Sequence, residues 1–365
     1  RAQNYLRPEH IEKIVSAFDA FEDIPGYAAV VTREELKSND WNLNIRRYAD
    51  NAPPPDPQDV RAHLSGGIPK EEVEAKKELL DAHGLKISTI FVERDANYYD
   101  FDPALAERGN IKKRIEAGKG IREREAGIKT AFDKWWEKHK QSLIELPDTK
   151  NLMEIRTDLL EAFISDITPV GLLDRFKVAG VIATWWNENK FDFKTLIAQG
   201  FGGLMDGWVD TIEATMEEAK GNHFDLADDP LVTRLIPDYL DELEQTRQNI
   251  IRLEQEKELQ PYVEITNQLK EAKKRFKELQ KKFIKRLHEA REVLSDGDCR
   301  ELVLDILNEK LAGHLDSYVT AHRQEVIAAV ENWWDKYRVT LRDIEGEREQ
   351  ATKNLAEFMG ELGYG

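Results

Sequence analysis

The stretch LKEAKKRFKELQKKFIKR, Leu269–Arg286, decides the fold of this 365-residue chain. Its apolar residues recur at alternating steps of three and four, at Leu269, Ala272, Phe276, Leu279 and Phe283. That spacing is typical of the a and d positions of a coiled coil, which align as one apolar seam along a helix. We therefore predict a long helix that buries this seam against a second helix.

The second helix is expected earlier in the chain. Leu243 and Ile250 are separated by one heptad, and Pro261 lies between them and the seam. Proline interrupts a regular helix because it lacks an amide hydrogen and clashes with the preceding turn. The pattern predicts two helices over 237–295 that fold back as an antiparallel coiled-coil hairpin. The turn-forming residues SDGD, 295–298, are expected to end it.

Helix-period patterns continue on both sides of this hairpin. They predict a helical domain over 96–236 and C-terminal helices over 296–365. GFGG, 200–203, is predicted to be a helix-breaking turn. Residues 1–95 form a smaller mixed segment. The predicted fold class is mainly α, a helical bundle with a long coiled-coil helical hairpin, preceded by this small mixed α/β segment.

Local signals place short elements in the mixed segment. TREE, 32–35, has the form of a capping box, so a helix is expected to begin there. A second helix is expected over 70–83, closed by Gly84. Period-two alternation predicts a strand at 41–45, and β-propensity predicts a second strand at 85–92. The residues 27–31 form a short β-prone run.

Composition narrows the class of protein. The 8 Trp, 10 Tyr and 14 Phe are too many for a chain that never builds a core. No apolar run approaches the roughly 18 residues of a membrane span, and the polar N-terminus lacks a signal-peptide core. The single cysteine, Cys299, excludes an internal disulfide framework and a cysteine-built zinc site. These features indicate a reducing, cytoplasmic setting with no membrane involved.

Charge is distributed unevenly along the chain. Residues 273–286 hold eight basic side chains against Glu278 alone, a net charge of +7 within a total of −17, which leaves −24 elsewhere. Such a run is either a solvated coiled-coil face that selects a partner helix or a surface that contacts phosphates. The candidate DNA or partner contacts are Lys273, Lys274, Arg275, Lys277, Lys281, Lys282, Lys285 and Arg286.

The usual motifs of catalysis are missing from the sequence. GFGG, 200–203, lies between helical patterns instead of after a strand, so it does not fit a nucleotide loop. His288-Glu289 is followed by Glu292 where a zinc-binding helix needs its second histidine. No nucleophile-and-base constellation supports a hydrolase. We therefore assign no catalytic, cofactor-binding or metal-binding residue in this chain.

Three short stretches near the N-terminus form a distinctive set. They are Asn4-Tyr5-Leu6 followed by 11–15, NDWNLNIRRYAD at Asn39–Asp50, and HLSGGIPKEEV at His63–Val73. In order and spacing they resemble the segment that follows the catalytic core in the methylation (M) subunits of type I restriction-modification systems. The remaining residues resemble that family only as a helical C-terminal region with coiled coil.

The resemblance implies a division of labour. In this family a catalytic domain binds S-adenosylmethionine and methylates the N6 of a flipped adenine. A separate specificity subunit reads the DNA sequence, and the C-terminal helices of the M subunit bundle with it. This chain lacks the cofactor motif, and NAPP, 51–54, is its nearest approach to the Asn-Pro-Pro-aromatic motif. The chain is therefore expected to be a C-terminal fragment, which a start at Arg1 instead of Met also favours.

The resemblance also names partners. They are the specificity subunit and, as a further candidate, a restriction subunit, with DNA reached through the assembled complex. The apolar seam is a candidate docking surface for a partner helix. Arg46, Arg47 and Tyr48 are either DNA contacts or part of a structural linker. The alternative interpretation is a free-standing coiled-coil adaptor with no role on DNA.

Overall fold

The protein is mainly α-helical. The computed structural model describes residues 5–49, 57–218, 229–259 and 262–362, and is 78% helical with a small three-stranded sheet. The predicted fold class, mainly α with a small mixed α/β segment, is confirmed. No helix among the described residues combines the length and apolarity that crossing a bilayer requires.

Short elements make up the N-terminal part. Its helices are α1 (Pro8–Ala20), α2 (Arg33–Ser38), α3 (Val60–Ser65), α4 (Lys70–Ala75), α5 (Lys77–Ala82) and α6 (Gly109–Glu116). Its strands are β1 (Ile68–Pro69), β2 (Phe91–Glu93) and β3 (Tyr98–Phe101). Both β1 and β2 pair antiparallel with β3, which lies at the centre of the sheet.

Helices account for nearly all of the remainder. They are α7 (Lys119–Ile144), α8 (Leu146–Thr149), α9 (Leu152–Ile167), α10 (Arg175–Glu218), α11 (Pro230–Leu235), α12 (Pro237–Leu259), α13 (Val263–Glu292), α14 (Asp296–Tyr337) and α15 (Leu341–Glu361). Gly200 kinks α10 with a φ of 72°, a left-handed conformation that favours glycine. The predicted break at GFGG is therefore a kink between two helical stretches.

Contacts group the chain into two compact units, each assembled from separate stretches. The first contains residues 1–135, 159–184 and 313–365. The second contains residues 136–158 and 185–312. The division into four consecutive segments made from the sequence, with boundaries near 95, 236 and 295, stays a prediction about independent folding.

The strand predicted over 41–45 is wrong. Asp40 and Trp41 have φ values of 54° and 57°, which turn the chain away from an extended path. The side-chain oxygens of Asn42 and Asn44 then accept hydrogen bonds from the backbone amides two residues further on, at 2.9 and 3.2 Å. Short polar side chains that bind nearby amides compete with strand formation, so the alternating pattern misleads here.

The β-prone run 27–31 and the second predicted strand, 85–92, also differ from an extended path. The run 27–31 contributes an isolated bridge between Ile24 and Ala28 and no strand, because its backbone closes on itself at 2.8 and 2.9 Å. The run 85–92 contains a 3-10 turn, Ile87–Thr89, and only its last two residues, Phe91 and Val92, belong to a strand, β2. Tight local turns therefore replace most of the extended backbone expected in the mixed segment.

The sheet of the first unit packs against the end of α14. Phe91 of β2 lies 5.8 Å from Trp333, and Phe101 of β3 lies 4.8 Å from Trp334, measured between ring centroids and with the rings edge-on. Both tryptophans are buried. Such aromatic pairs add stability beyond the area that they bury, so they attach the N-terminal segment to α14.

A buried pair of histidines makes a second link within this unit. His83, after α5, and His322 of α14 approach with their Nδ1 atoms 2.8 Å apart. His83 Nε2 donates to Glu125, which also accepts from Arg323 at 2.7 Å. Burial favours the neutral form of both rings, so His83, which donates from Nε2, accepts at Nδ1 a hydrogen bond from Nδ1 of His322. Burial lowers the pKa of both, and the charge that His83 can carry further lowers the pKa of His322, to about 4.

Two glycines allow a close backbone approach in the same unit. Gly84 has a φ of 79°, and the hydrogen bonds after α5 form a Schellman motif, so Gly84 ends the helix as the sequence predicts. The single helix predicted over 70–83 is instead divided at Lys76 into α4 and α5. A Cβ atom on Gly120 of α7 would lie 2.1 Å from the carbonyl oxygen of Gly84. Because that neighbour is backbone, it cannot move aside by changing rotamer.

In the second unit, α10 and α14 share a buried core. The indole of Trp185 donates to the carbonyl of Leu307 at 2.8 Å, and Lys310 donates to the side chain of Asn189 at 3.1 Å. A buried indole needs such an acceptor, since an unpaired polar group inside the protein is destabilising. These hydrogen bonds fix the two helices in register.

The turn predicted at SDGD, 295–298, is instead the beginning of α14. The Ser295 hydroxyl accepts from the amide of Asp298 at 3.2 Å, and the Asp298 carboxylate accepts from the amide of Ser295 at 2.9 Å. This reciprocal arrangement is a capping box, which supplies partners for two otherwise unpaired amides. Serine and aspartate favour turns and helix starts alike, so composition could not separate the two.

We predict that Gly120→Ala destabilises the protein by about 1–3 kcal/mol, because the added methyl group forces the backbone of α7 away from Gly84. Gly313→Ala is the matched control, since a Cβ there meets no atom within 4 Å and alanine favours a helix by roughly 1 kcal/mol. Urea denaturation measures both free energies of unfolding. A stabilised Gly120→Ala variant would contradict the close approach.

Acid should weaken the histidine link. The folded-state pKa of His322 lies below the ordinary 6.5, so the unfolded chain binds a proton first and stability falls as the pH drops from about 6.5 towards 4. The His322→Asn variant keeps a donor near the Nδ1 position but has no imidazole to protonate. We predict that its free energy of unfolding falls by about 2 kcal/mol less than that of the unchanged protein between pH 7 and pH 5. Urea denaturation at both pH values tests this, and unchanged acid sensitivity in the variant would contradict it.

Candidate nucleic-acid and subunit interfaces

The apolar seam of α13 faces α12 of the same chain. Leu269, Ala272, Leu279 and Phe283 are buried, and Phe276 is half-buried. Tyr239 of α12 donates its hydroxyl hydrogen to the carbonyl of Leu279, and its ring contacts that of Phe283. The predicted seam is thus occupied within the chain, which leaves partner docking to other surfaces.

Ion pairs show that the two helices run antiparallel. Lys273 of α13 lies 2.6 Å from Glu254, and Arg275 lies 2.7 Å from Glu242, so later residues of α13 meet earlier residues of α12. Exposed pairs of this kind contribute at most about 1 kcal/mol each. They nevertheless take up two of the eight cations in the basic stretch.

Two more of these cations pair along α13 itself. Arg286 and Lys285 lie 3.3 and 3.6 Å from the carboxylate of Glu289. The other four cations form no ion pair with any described residue. They are Lys274, Lys277, Lys281 and Lys282. The structure therefore separates the basic stretch into a paired set and an unpaired set, which the sequence alone does not distinguish.

Three of the unpaired cations share one face with a fourth lysine. Lys270, Lys274, Lys277 and Lys281 follow one another at steps of four, three and four, and all are exposed. Residues at these steps lie on the same side of a helix. We call these four residues the lysine row. They border an open groove of about 640 Å³ that Lys257, Thr266, Leu269, Lys273 and Glu278 also line.

The segment containing Arg46, Arg47 and Tyr48 is a compact turn in the first unit, whereas the lysine row belongs to the second. The hydroxyl of Tyr48 donates to the carbonyl of Asn42 at 2.5 Å, which closes the turn. Both arginines are exposed and form no ion pair with the part of the chain that the structure describes. Tyr48 therefore stabilises the turn, and Arg46, Arg47 and Tyr48 stay candidate DNA contacts.

The HLSGGIPKEEV stretch has a structural role in the first unit. Gly66 and Gly67 have φ values of 77° and 99°, and β1 follows them directly. Glu72, on the α4 helix that follows β1, is buried and accepts from the ammonium of Lys336 at 2.9 Å and from the hydroxyl of Tyr337. A buried carboxylate needs such partners. The stretch therefore fastens the sheet to the end of α14.

Helix α15 carries an apolar stripe that the sequence analysis missed. Mostly apolar side chains recur at heptad spacing in two series, Leu341, Arg348, Leu355 and Leu362, and Ile344, Ala351 and Phe358. None of the helix is buried, and Leu355 and Phe358 are 60% and 62% exposed. The same three-and-four spacing that identified the α13 seam would have revealed it. Unlike that seam, this stripe is not buried by any residue that the structure describes.

The described residues do not assemble a metal centre. Among them, no group of three or more His, Cys, Asp and Glu side chains is placed to hold a metal ion. His288 instead pairs with Glu213 at 3.0 Å. NAPP, 51–54, lies outside the described residues.

Comparisons with known proteins find similarity to DNA methylases over a small part of the chain. A family model described as N-6 DNA Methylase matches residues 1–55. The methylase subunit of the type I restriction enzyme MjaVII from Methanocaldococcus jannaschii is 39% identical over 81 residues, which is 22% of this chain and 14% of that subunit. The methylase subunit of MjaVIII from the same organism is 47% identical over 45 residues, 12% of this chain and 8% of that subunit.

These matches span about one seventh of the first relative's length and less of the second's. No solved structure gives a significant match to the chain. Residues 1–55 are therefore similar to N-6 DNA methylases, and less than a quarter of the chain is similar to type I restriction methylase subunits.

We predict that Phe283→Ala costs about 3–5 kcal/mol, because Phe283 is fully buried in the hairpin and its removal leaves a cavity. Phe358→Ala, on the exposed stripe, is the matched control and should change the free energy of unfolding by about 0.5 kcal/mol or less. Urea denaturation of both variants measures the difference. Equal losses of unfolding free energy in the two variants would contradict the burial of the α13 seam and the exposure of the α15 stripe.

Proposed function

We propose that the chain is the C-terminal, subunit-docking part of a type I restriction-modification methylase subunit. The parent reaction is S-adenosylmethionine-dependent N6-methylation of adenine in DNA. Two observations support this. One is the similarity of residues 1–55 to N-6 DNA methylases and of part of the chain to type I methylase subunits, and the other is the exposed apolar surfaces of α1 and α15. In this proposal the chain itself carries out no methyl transfer.

The observation that carries the docking role is the exposed heptad stripe of α15. A helix with apolar residues at a and d positions is stable in water when a second helix covers them. Leu341, Ile344, Leu355 and Phe358 are each between 45% and 62% exposed. We propose that a helix of the specificity subunit covers this stripe in the assembled enzyme, by the helix-in-groove mode of recognition.

A second uncovered surface lies on α1. Ile14, Phe18 and Phe21 are 46%, 78% and 73% exposed and border a groove of about 520 Å³. Exposed apolar patches of this kind mark interaction sites. Because the match to the methylase family includes this helix, we propose that a methylase domain packs against it.

The cofactor belongs to that methylase domain in this proposal. Among the described residues, no glycine-rich loop follows a strand and opens a helix, which is the arrangement that holds a nucleotide-like cofactor. Gly66 and Gly67 precede a strand and lie against Arg94 and Tyr98. The assembly would act in the cytoplasm, on DNA, and would also recruit a restriction subunit.

The docking role can be tested by mixing the chain with the specificity subunit of its own system. We predict that replacing Leu355 and Phe358 together by Gln weakens the complex at least about a hundredfold, since each apolar anchor contributes roughly 1.5–3 kcal/mol. Isothermal titration calorimetry measures the affinity. Circular dichroism should show no loss of helix, because both side chains are exposed and glutamine is a good helix former.

The matched control replaces Lys353 and Glu357, on the opposite face of α15, by Gln. This pair also leaves the net charge of the chain unchanged, and it should retain the full affinity. Equal affinities for the two double variants would show that the stripe is not the docking surface. Failure of the unchanged chain to bind the specificity subunit would contradict docking altogether and favour a free-standing adaptor.

A further inference from the structure

The lysine row of α13 is held outward by the packing of the hairpin. The seam residues Leu269, Leu279 and Phe283 fix which side of α13 faces α12. The four lysines lie on another side and are exposed. At a rise of about 1.5 Å per residue, the row from Lys270 to Lys281 extends over about 16 Å.

This arrangement is unfavourable for the isolated chain. Like charges at spacings of three and four residues repel each other along a helix, and the row contains three such neighbouring pairs. The chain has an excess of acidic residues, with a net charge of −17, yet no described carboxylate lies within ion-pair distance of these four lysines. A bound polyanion would remove the repulsion.

The division between arginine and lysine indicates how such a polyanion is contacted. Arg275 and Arg286, whose planar guanidinium groups could read base edges, are both paired with glutamates of the chain. The unpaired cations of the row are lysines, which act as flexible point charges. Contacts of this type go to phosphates and position a duplex without reading its sequence.

The groove beside the row extends the same surface. Lys257 of α12 and Lys273 of α13 line it together with the four lysines of the row, against Glu278 as the lining acid. Leu269 and Thr266 form its less polar floor, against which long lysine stems can lie. The positive charge therefore runs along one side of the hairpin instead of forming a single spot.

We infer that the lysine row is a contact surface for the phosphate backbone of double-stranded DNA. The inference rests on the proposed function, in which the assembled enzyme acts on DNA, and it names the surface of this chain that holds the duplex. Sequence would be read elsewhere in the assembly, and the row would add affinity that is independent of sequence and sensitive to salt.

The test uses the full 365-residue chain and a fluorescein-labelled DNA duplex of arbitrary sequence, with fluorescence anisotropy recorded from about 50 to 200 mM NaCl. The triple variant Lys274→Gln, Lys277→Gln, Lys281→Gln removes three unpaired cations. We predict that it lowers the magnitude of the slope of log K against log[NaCl] by about 2–3, at roughly 0.9 for each phosphate that is no longer neutralised. Its affinity at about 50 mM should fall at least about tenfold.

The matched control is the triple variant Arg275→Gln, Lys285→Gln, Arg286→Gln, none of which lines the groove. It changes the net charge by the same amount on the same helix, but its cations are already paired with glutamates, so its slope should stay within about one unit of the original. Circular dichroism of both variants checks that the hairpin remains helical. If the slope decreased equally in the two variants, net charge alone would explain the effect, and the assignment would be overturned.

Two other outcomes would also overturn it. One is failure of the unchanged chain to bind the duplex at the lowest salt concentration. The other is a triple variant of the row that keeps the DNA slope but no longer binds the specificity subunit, since the row would then be a docking surface for an acidic helix. Subunit binding is measured on the same samples, so impaired docking is distinguished from impaired DNA binding.

Discussion

The burial of one apolar seam, that of α13 against α12, determines which charged side chains of the hairpin are paired and which face solvent. The direction in which each side chain leaves a helix is set by its position in the sequence. When Leu279 and Phe283 face α12, the side of α13 on which every other residue lies is therefore also determined. Cations beside the interface then meet glutamates of α12, as Lys273 and Arg275 do. Those further round the helix face solvent, and the lysine row is the result.

Helices α13 and α15 carry the same kind of pattern with opposite outcomes. In α13 the partner helix is part of the chain, so the apolar residues stabilise the fold. In α15 the residues Leu355 and Phe358 remain exposed, and burying them would release free energy only when another chain supplies a helix. One sequence pattern therefore serves stability in the first case and, in our proposal, assembly in the second.

Sequence reasoning succeeded where the responsible interactions are local or periodic. The mainly α class and the helix end at Gly84 follow from spacing and turn chemistry. Sequence reasoning failed at 41–45, where the side chains of Asn42 and Asn44 accept hydrogen bonds from nearby backbone amides. The alternation of apolar residues carries no information about such hydrogen bonds. Sequence reasoning could not find the pairing of His83 with His322 either, since 239 residues separate them.

The most direct measurement is hydrogen exchange of the chain alone and in complex with the specificity subunit of its system. The account predicts strong additional protection over 341–361 in the complex, because an exposed helix that opens readily on its own becomes covered. The amides of α12 and α13 should be protected already in the free chain, since their seam is buried within it. A stable complex in which α15 exchanges as fast as in the free chain would contradict the account.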